Sequence, residues 1–132
     1  MGYFEWKPEI VLGHAQIDQE HKQMLLLAEA IVEPLLDSAS HQPNVEPMQA
    51  LIAFSRKHFA HEEELMRAAA YPGTEEHAKY HASLLTELES YCAKVASGAN
   101  TNAVGLIAFL WNWLALHIQN ADRKLVEWLA SH

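Results

Sequence analysis

The sequence predicts an all-α protein, an up-down-up-down four-helix bundle with an N-terminal arm. Three observations predict it. Four stretches keep their apolar residues near a 3.6-residue period, joins rich in Ser, Pro, Asn and Gly separate them, and no segment alternates as a strand would. Short joins between long helices favour antiparallel neighbours. A chain of 132 residues suits one domain, taken here as residues 1–132, with a single core of ordinary size.

Residues 1–16 carry aromatics, Pro8 and Gly13 without helical period, and read as a packed arm. Ile17, Met24, Leu25, Ala28, Ile31, Val32 and Leu35 mark the first helix, with Asp18 or a neighbour as its cap. Pro34 should kink or end that helix, because proline removes a backbone donor. SASHQPNVEP is the first connection. The second helix begins near Pro47 and sets Leu51, Ile52, Phe54, Ser55, His58, Phe59, Glu62, Leu65 and Met66 along one side. AAYPGT breaks it, and Thr74 is the expected cap of the third helix. That helix carries His77, His81, Leu84, Leu85, Leu88, Tyr91 and Cys92 as far as SGANTN. The fourth begins near Ala103 and aligns Leu106, Phe109, Leu110, Trp113, Leu114, His117 and Ile118, and a helical tail follows.

Composition narrows the function. Half of the residues are apolar and interleaved with charges, as in a soluble globular protein, and no apolar run is long enough to span a bilayer. The start MGYFEWKPEIVLG lacks a basic region followed by an apolar one, so no signal peptide is expected. A single cysteine, Cys92, excludes an intramolecular disulfide and points to a reducing, cytoplasmic setting. It falls on an apolar helix face and reads as a small buried hydrophobe. A formal charge of −8 argues against a nucleic-acid partner. Nine histidines against nine lysines and arginines point towards metal.

Spacing turns that hint into geometry. Residues four apart on a helix differ by about 40° around the axis and about 6 Å along it, so their side chains share a face. His77 and His81 can reach one ion, and His58 and Glu62 can each offer a ligand to a common centre. Both pairs lie among Leu, Phe, Met and Ala, where unpaired imidazole and carboxylate groups would be costly. His21 and His117 follow the apolar stripes of the first and fourth helices. Asp122 comes five residues after His117, about 140° away on an ideal helix. That pair needs a local π-type turn or a helix ending near Asn120.

Taken singly, each signal is weak. A lone His-x-x-x-His is more often a surface coincidence, and His21 alone would more often be a core histidine bonded to a carbonyl. Together, every helix contributes an inward ligand, and five imidazoles with two carboxylates suit two bridged metal ions. Competing motifs are incomplete: His61-Glu62 opens like a zinc-protease helix, but Leu65 stands where its second histidine belongs. The Glu-x-x-His pairs of ferritin-like sites and a glycine-flanked nucleophile elbow do not occur. His14 and His61 read as exposed or locally bonded, although His61 lies about 60° round the helix from His58, near enough to support it from outside the site. His41 and His132 read as solvent-facing, and Glu63 and Glu64 as solvated charges.

IDQEHK around His21, HFAHEE around His58, HAKYH at 77–81 and HIQNAD at 117–122 resemble the hemerythrin family pattern of His, His-x-x-x-Glu, His-x-x-x-His and His-x-x-x-x-Asp. YFEWKPEIVLG resembles the N-terminal arm of its bacterial members, the bacteriohemerythrins. The resemblance implies a non-heme di-iron centre that binds O2 reversibly. Carried over by position, one iron would take His77, His81 and His117, and the other His21 and His58. Glu62 and Asp122 would bridge them together with an oxo or hydroxo group, the ions being Fe2+ without O2 and Fe3+ with it or after oxidation. The iron with two imidazoles keeps an open position for O2, in a pocket that the resemblance lines with Met24, Phe59, Trp113, Leu114 and Ile118. Ordinary core packing would place those five residues equally well.

Three functions compete. The first is an O2-binding protein for storage, delivery or sensing, not an enzyme, apart from weak oxidase or peroxidase side activity. The second is a di-iron enzyme acting on peroxide, nitric oxide or O2, against which stands the lack of any obvious inward acid or base beyond the ligands. The third is a structural zinc site, ill suited to five imidazoles and two carboxylates. The first is favoured. Sensing would need a separate protein partner, since 132 residues leave no room for an output domain.

Overall fold

The computed structural model describes residues 4–36, 45–97 and 103–132. It is an all-α bundle of four long helices: α1, Ala15–Leu36; α2, Val45–Ala68; α3, Thr74–Ala96; and α4, Ala103–His117. A π-helical turn, Ile118–Asp122, joins α4 to a final short helix, α5, Arg123–Ser131. In sequence order α2 packs on α1 and α3 on α2, and α4 returns to α1. The seam between α3 and α4 is held by Trp113 Nε1, which donates to the Leu84 carbonyl at 2.9 Å, and by Tyr91 stacked on Phe109 at 3.9 Å. No helix among the described residues is long and apolar enough to cross a membrane.

The arm is packed, as its aromatics suggest. Phe4 and Ile10 are buried, and a 3-10 turn at Pro8–Ile10 lays the chain across the bundle. Lys7 sits over the Trp111 ring and Lys22 over Trp6. Gly13 has φ +89°, a conformation that costs glycine nothing and turns the chain into α1. The helix starts at Ala15, before Ile17, and its cap is not Asp18. His14 Nδ1 accepts from the Ile17 N–H, while Asp18 reaches back to accept from the N–H groups of Leu12 and Gly13. His14 is therefore locally bonded.

Two more boundaries differ from expectation. α1 continues through Pro34 to Leu36, where the described residues stop, and the described part of α2 begins at Val45, ahead of Pro47. Gly73, not Thr74, occupies the cap position of α3, and the Thr74 hydroxyl instead donates to the Tyr71 carbonyl at 2.6 Å. His41 and most of SASHQPNVEP and SGANTN lie outside the described residues. Cys92 is buried in the core, where burial pushes its thiol up to about 11, so it stays protonated and inert.

Candidate metal centre

The seven positions singled out in the sequence converge in the middle of the bundle. His21, His58, Glu62, His81, His117 and Asp122 are at most 1% exposed, and His77 is 5% exposed. α1 contributes His21, α2 His58 and Glu62, α3 His77 and His81, and α4 His117. Asp122 comes from the π turn. At about 100° per residue a straight α-helix would carry Asp122 away from His117, and the wider π turn brings it back to the same face. The Asp122 carboxylate stands 3.3 Å from His117 Nε2.

Each carboxylate divides its oxygens between two groups of imidazoles. Glu62 Oε1 faces His81 Nε2 at 3.0 Å and His77 Nε2 at 3.4 Å, while Oε2 faces His58 Nε2 at 3.0 Å and His21 Nε2 at 3.9 Å. Asp122 Oδ1 faces His77 Nε2 at 3.0 Å, and Oδ2 faces His21 Nε2 at 2.8 Å. Two sets of potential donor atoms result, each within 4.8 Å: His21, His58, His117 and Asp122, and Glu62, His77, His81 and Asp122. By distance His117 thus groups with His21 and His58, whereas the family resemblance assigns it to the ion of His77 and His81.

The donor set fits a bound cation. His58 Nε2, Glu62 Oε2 and His117 Nε2 are buried without a hydrogen-bond partner, although His58 Nε2 and Glu62 Oε2 are only 3.0 Å apart. Buried polar atoms left without well-formed hydrogen bonds are costly, and coordination to a cation would satisfy them. The outward ring nitrogens are tethered. His58 Nδ1–H donates to Glu20 at 2.8 Å, His81 Nδ1–H to Glu63 at 2.9 Å, and His117 Nδ1–H to the Trp113 carbonyl at 3.2 Å. Such outer bonds fix the ring and leave Nε2 facing inward. Glu20 also accepts from His61 Nδ1–H at 2.8 Å. Glu63 is therefore not simply a solvated charge, and Glu20 and Glu63 are site residues that sequence reasoning missed. Met24, Phe59, Trp113, Leu114 and Ile118 belong to the buried core around the site, with Phe59 stacked 4.0 Å from His81.

Charge balance explains the titration of these groups. Burial disfavours the His58 imidazolium, but the hydrogen bond to Glu20, the close approach of Glu62 and the charges of Glu62 and Asp122 raise its pKa to about 10. Burial opposes His77 too, and Asp122 and Glu62 raise it to about 9. For Glu62, burial and the Asp122 charge push upward, yet the facing imidazoles of His58, His77 and His81 bring it down to about 2. Asp122, though fully buried, is held well below the usual carboxylate range by His117, His21 and His77. His21 goes the other way, because burial outweighs its bond to Asp122 and lowers its pKa. Protons on His58 and His77 thus balance the two carboxylates until a cation displaces them.

A pH dependence follows for protein stripped of metal. His58 and His77 have folded pKa values above the 6.5 of an ordinary histidine, so their stabilisation is complete below pH 6.5 and is lost as pH rises through about 9 and 10. His21, with a lowered pKa, adds no slope above 6.5. Stability should therefore fall steadily across that range as each of the two protons is lost. Urea unfolding of chelator-treated protein between about pH 6.5 and 10 measures the slope. A flat profile would contradict this charge balance.

Comparison with known proteins yields a consistent set. A family model described as the hemerythrin HHE cation binding domain matches residues 12–129. A bacteriohemerythrin of Ralstonia nicotianae is 29% identical over 130 residues, covering 98% of this chain and 91% of the relative. A bacteriohemerythrin of Clostridium acetobutylicum is 25% identical over 94% of this chain and 99% of its own length. A myohemerythrin of Sipunculus nudus is 26% identical, with 92% and 89% covered.

Proposed function

From the premise that this chain belongs to the hemerythrin family of cation-binding domains, we propose that it binds O2 reversibly at a non-heme di-iron centre. The observation that carries the reading is the division of Glu62 and Asp122, each turning one oxygen to each of two imidazole groups. Carboxylates so placed can bridge a pair of ions, and imidazole with carboxylate is a suitable donor set for iron. By family position His21 and His58 would hold one ion and His77, His81 and His117 the other, with Glu62 and Asp122 between them, although the distances set His117 beside His21 and His58. Two ferrous ions would supply the electrons and the coordination position that O2 needs.

The chain's own residues would decide whether binding is reversible. Met24, Phe59, Trp113, Leu114 and Ile118 are each at most 3% exposed and exclude water from the inward side of the imidazoles. A dry, apolar wall keeps protons from the bound ligand, which favours release over irreversible oxidation. Glu20, Glu63 and the Trp113 carbonyl hold three imidazoles in place from behind, so the site needs no rearrangement to accept metal. The role would be storage, delivery or sensing of O2 by a single domain.

The test is a gas cycle. Protein reduced under argon should carry about two irons per chain, develop a visible band when O2 is admitted and lose it when O2 is removed. A band that collapses at once to a stable oxidised spectrum would instead favour an enzyme acting on peroxide, nitric oxide or O2. Protein that takes up no iron would overturn the di-iron reading.

A further inference from the structure

His58 and His61 lie three residues apart on the same side of α2, facing the seam with α1. Across that seam, Glu20 precedes His21 and points about 100° away from it. Its two oxygens are each taken by one imidazole: Oε1 by His58 Nδ1 and Oε2 by His61 Nδ1, both at 2.8 Å. The Glu20 side chain is 16% exposed and that of His61 34%, so this is a partly shielded clamp at the margin of the site. No other carboxylate contact is shared in this way by a candidate ligand and a half-exposed histidine among the described residues. Glu63 holds His81 alone.

We propose that Glu20 is a positioning residue for the His58 half of the centre, and that His61 is the anchor fixing Glu20 from the surface side. Glu20 holds the His58 ring with Nε2 facing Glu62 and lends it charge, which makes that nitrogen a better donor to a cation. His61 removes the rotational freedom that Glu20 would otherwise have, since a glutamate held at one oxygen can still swing about its terminal torsion. Neither residue touches the ions; both act through His58. This inference rests on the metal-binding reading and adds a determinant of how tightly one of the two ions is held.

The experiment compares wild type, Glu20→Gln, Glu20→Ala, His61→Ala and Glu63→Ala by anaerobic Fe2+ titration against a chelator. Glu20→Ala should weaken one of the two ions by about 10- to 100-fold and leave the other within about twofold. Glu20→Gln keeps one acceptor oxygen without the charge and should fall between Glu20→Ala and wild type. His61→Ala, which alters a partly exposed side chain and leaves Glu20 in place, should weaken the same ion least. Glu63→Ala should act on the other ion.

A second readout needs no metal. In histidine-labelled metal-free protein, a ring N–H resonance of His58, protected from exchange by Glu20, should be retained in His61→Ala and lost in Glu20→Ala. Equal weakening of both ions by Glu20→Ala, unchanged iron affinity in all Glu20 and His61 variants, or no protected resonance in wild type would each overturn the proposal. Wild type that shows the resonance but takes up no Fe2+ would refute the di-iron reading while leaving the Glu20 clamp standing as geometry.

Discussion

Asp122→Asn should leave a folded, helical protein that retains at most about one metal ion per chain, where the proposed centre would hold about two in the wild type. Asp122 is the residue common to both sets of converging donor atoms. Its Oδ1 faces His77 at 3.0 Å, and its Oδ2 faces His21 at 2.8 Å and His117 at 3.3 Å. An amide of the same shape has a single acceptor oxygen and no negative charge, so it cannot serve both sides. The fold should survive because Asn fills the same volume and can still accept one of these bonds. By contrast His117→Ala removes a donor from one set and should lose about half or more of the iron, together with the site's tie to α4. Iron per chain after anaerobic loading and desalting, with helix content by circular dichroism, decides the matter. Two ions retained in Asp122→Asn would remove Asp122 from the centre.

The contrast between these residues also shows what could be read in advance. His58 with Glu62 and His77 with His81 required only the period of an α-helix, a local property that no neighbour changes. The five-residue step from His117 to Asp122 broke that period, and the break itself demanded the π turn now seen at Ile118–Asp122. The family resemblance, not the helical period, singled out Met24, Phe59, Trp113, Leu114 and Ile118, all of which are buried. What stayed hidden depends on how one helix is rotated against the next. Glu20 reads as a surface charge beside His21 until the α1–α2 seam is known, and Glu63 reads so until α3 is placed. A signal was nonetheless available. An imidazole that binds metal through one nitrogen has a second that needs an acceptor, and acidic residues directly beside candidate ligand positions are natural candidates. The caps failed for a related reason: Asp18 has a capping side chain, but the positive φ of Gly13 turns the backbone of Leu12 and Gly13 towards it.

Trp113→Ala should have the largest effect on the fold and on the dryness of the site together. The ring is 3% exposed and lies 5.7 Å from His117 and 6.2 Å from Phe59. On its other side it lines a cleft of about 360 Å³ between α3 and α4, beside Tyr80, Leu84 and Phe109. The ring therefore lies between this solvent-facing cleft and His117. Truncation removes the wall and leaves a cavity, which for tryptophan costs about 3–5 kcal/mol. It also strips the Leu84 carbonyl of its donor, a further loss of about 1–3 kcal/mol if water does not replace it. Water can occupy such a cavity, unlike a sealed apolar one, because it would open to a cleft that also carries Ser83, Glu87 and Asn112. Two outcomes are expected: lower stability in urea, and faster loss of the O2-dependent colour to irreversible oxidation. Trp113→Phe separates the causes, because it keeps most of the wall and loses only the hydrogen bond. Its colour should persist nearly as long as in wild type while its stability drops by about 1–3 kcal/mol. If Trp113→Ala and wild type lose colour at the same rate, the ring serves packing alone and water reaches the site by another path.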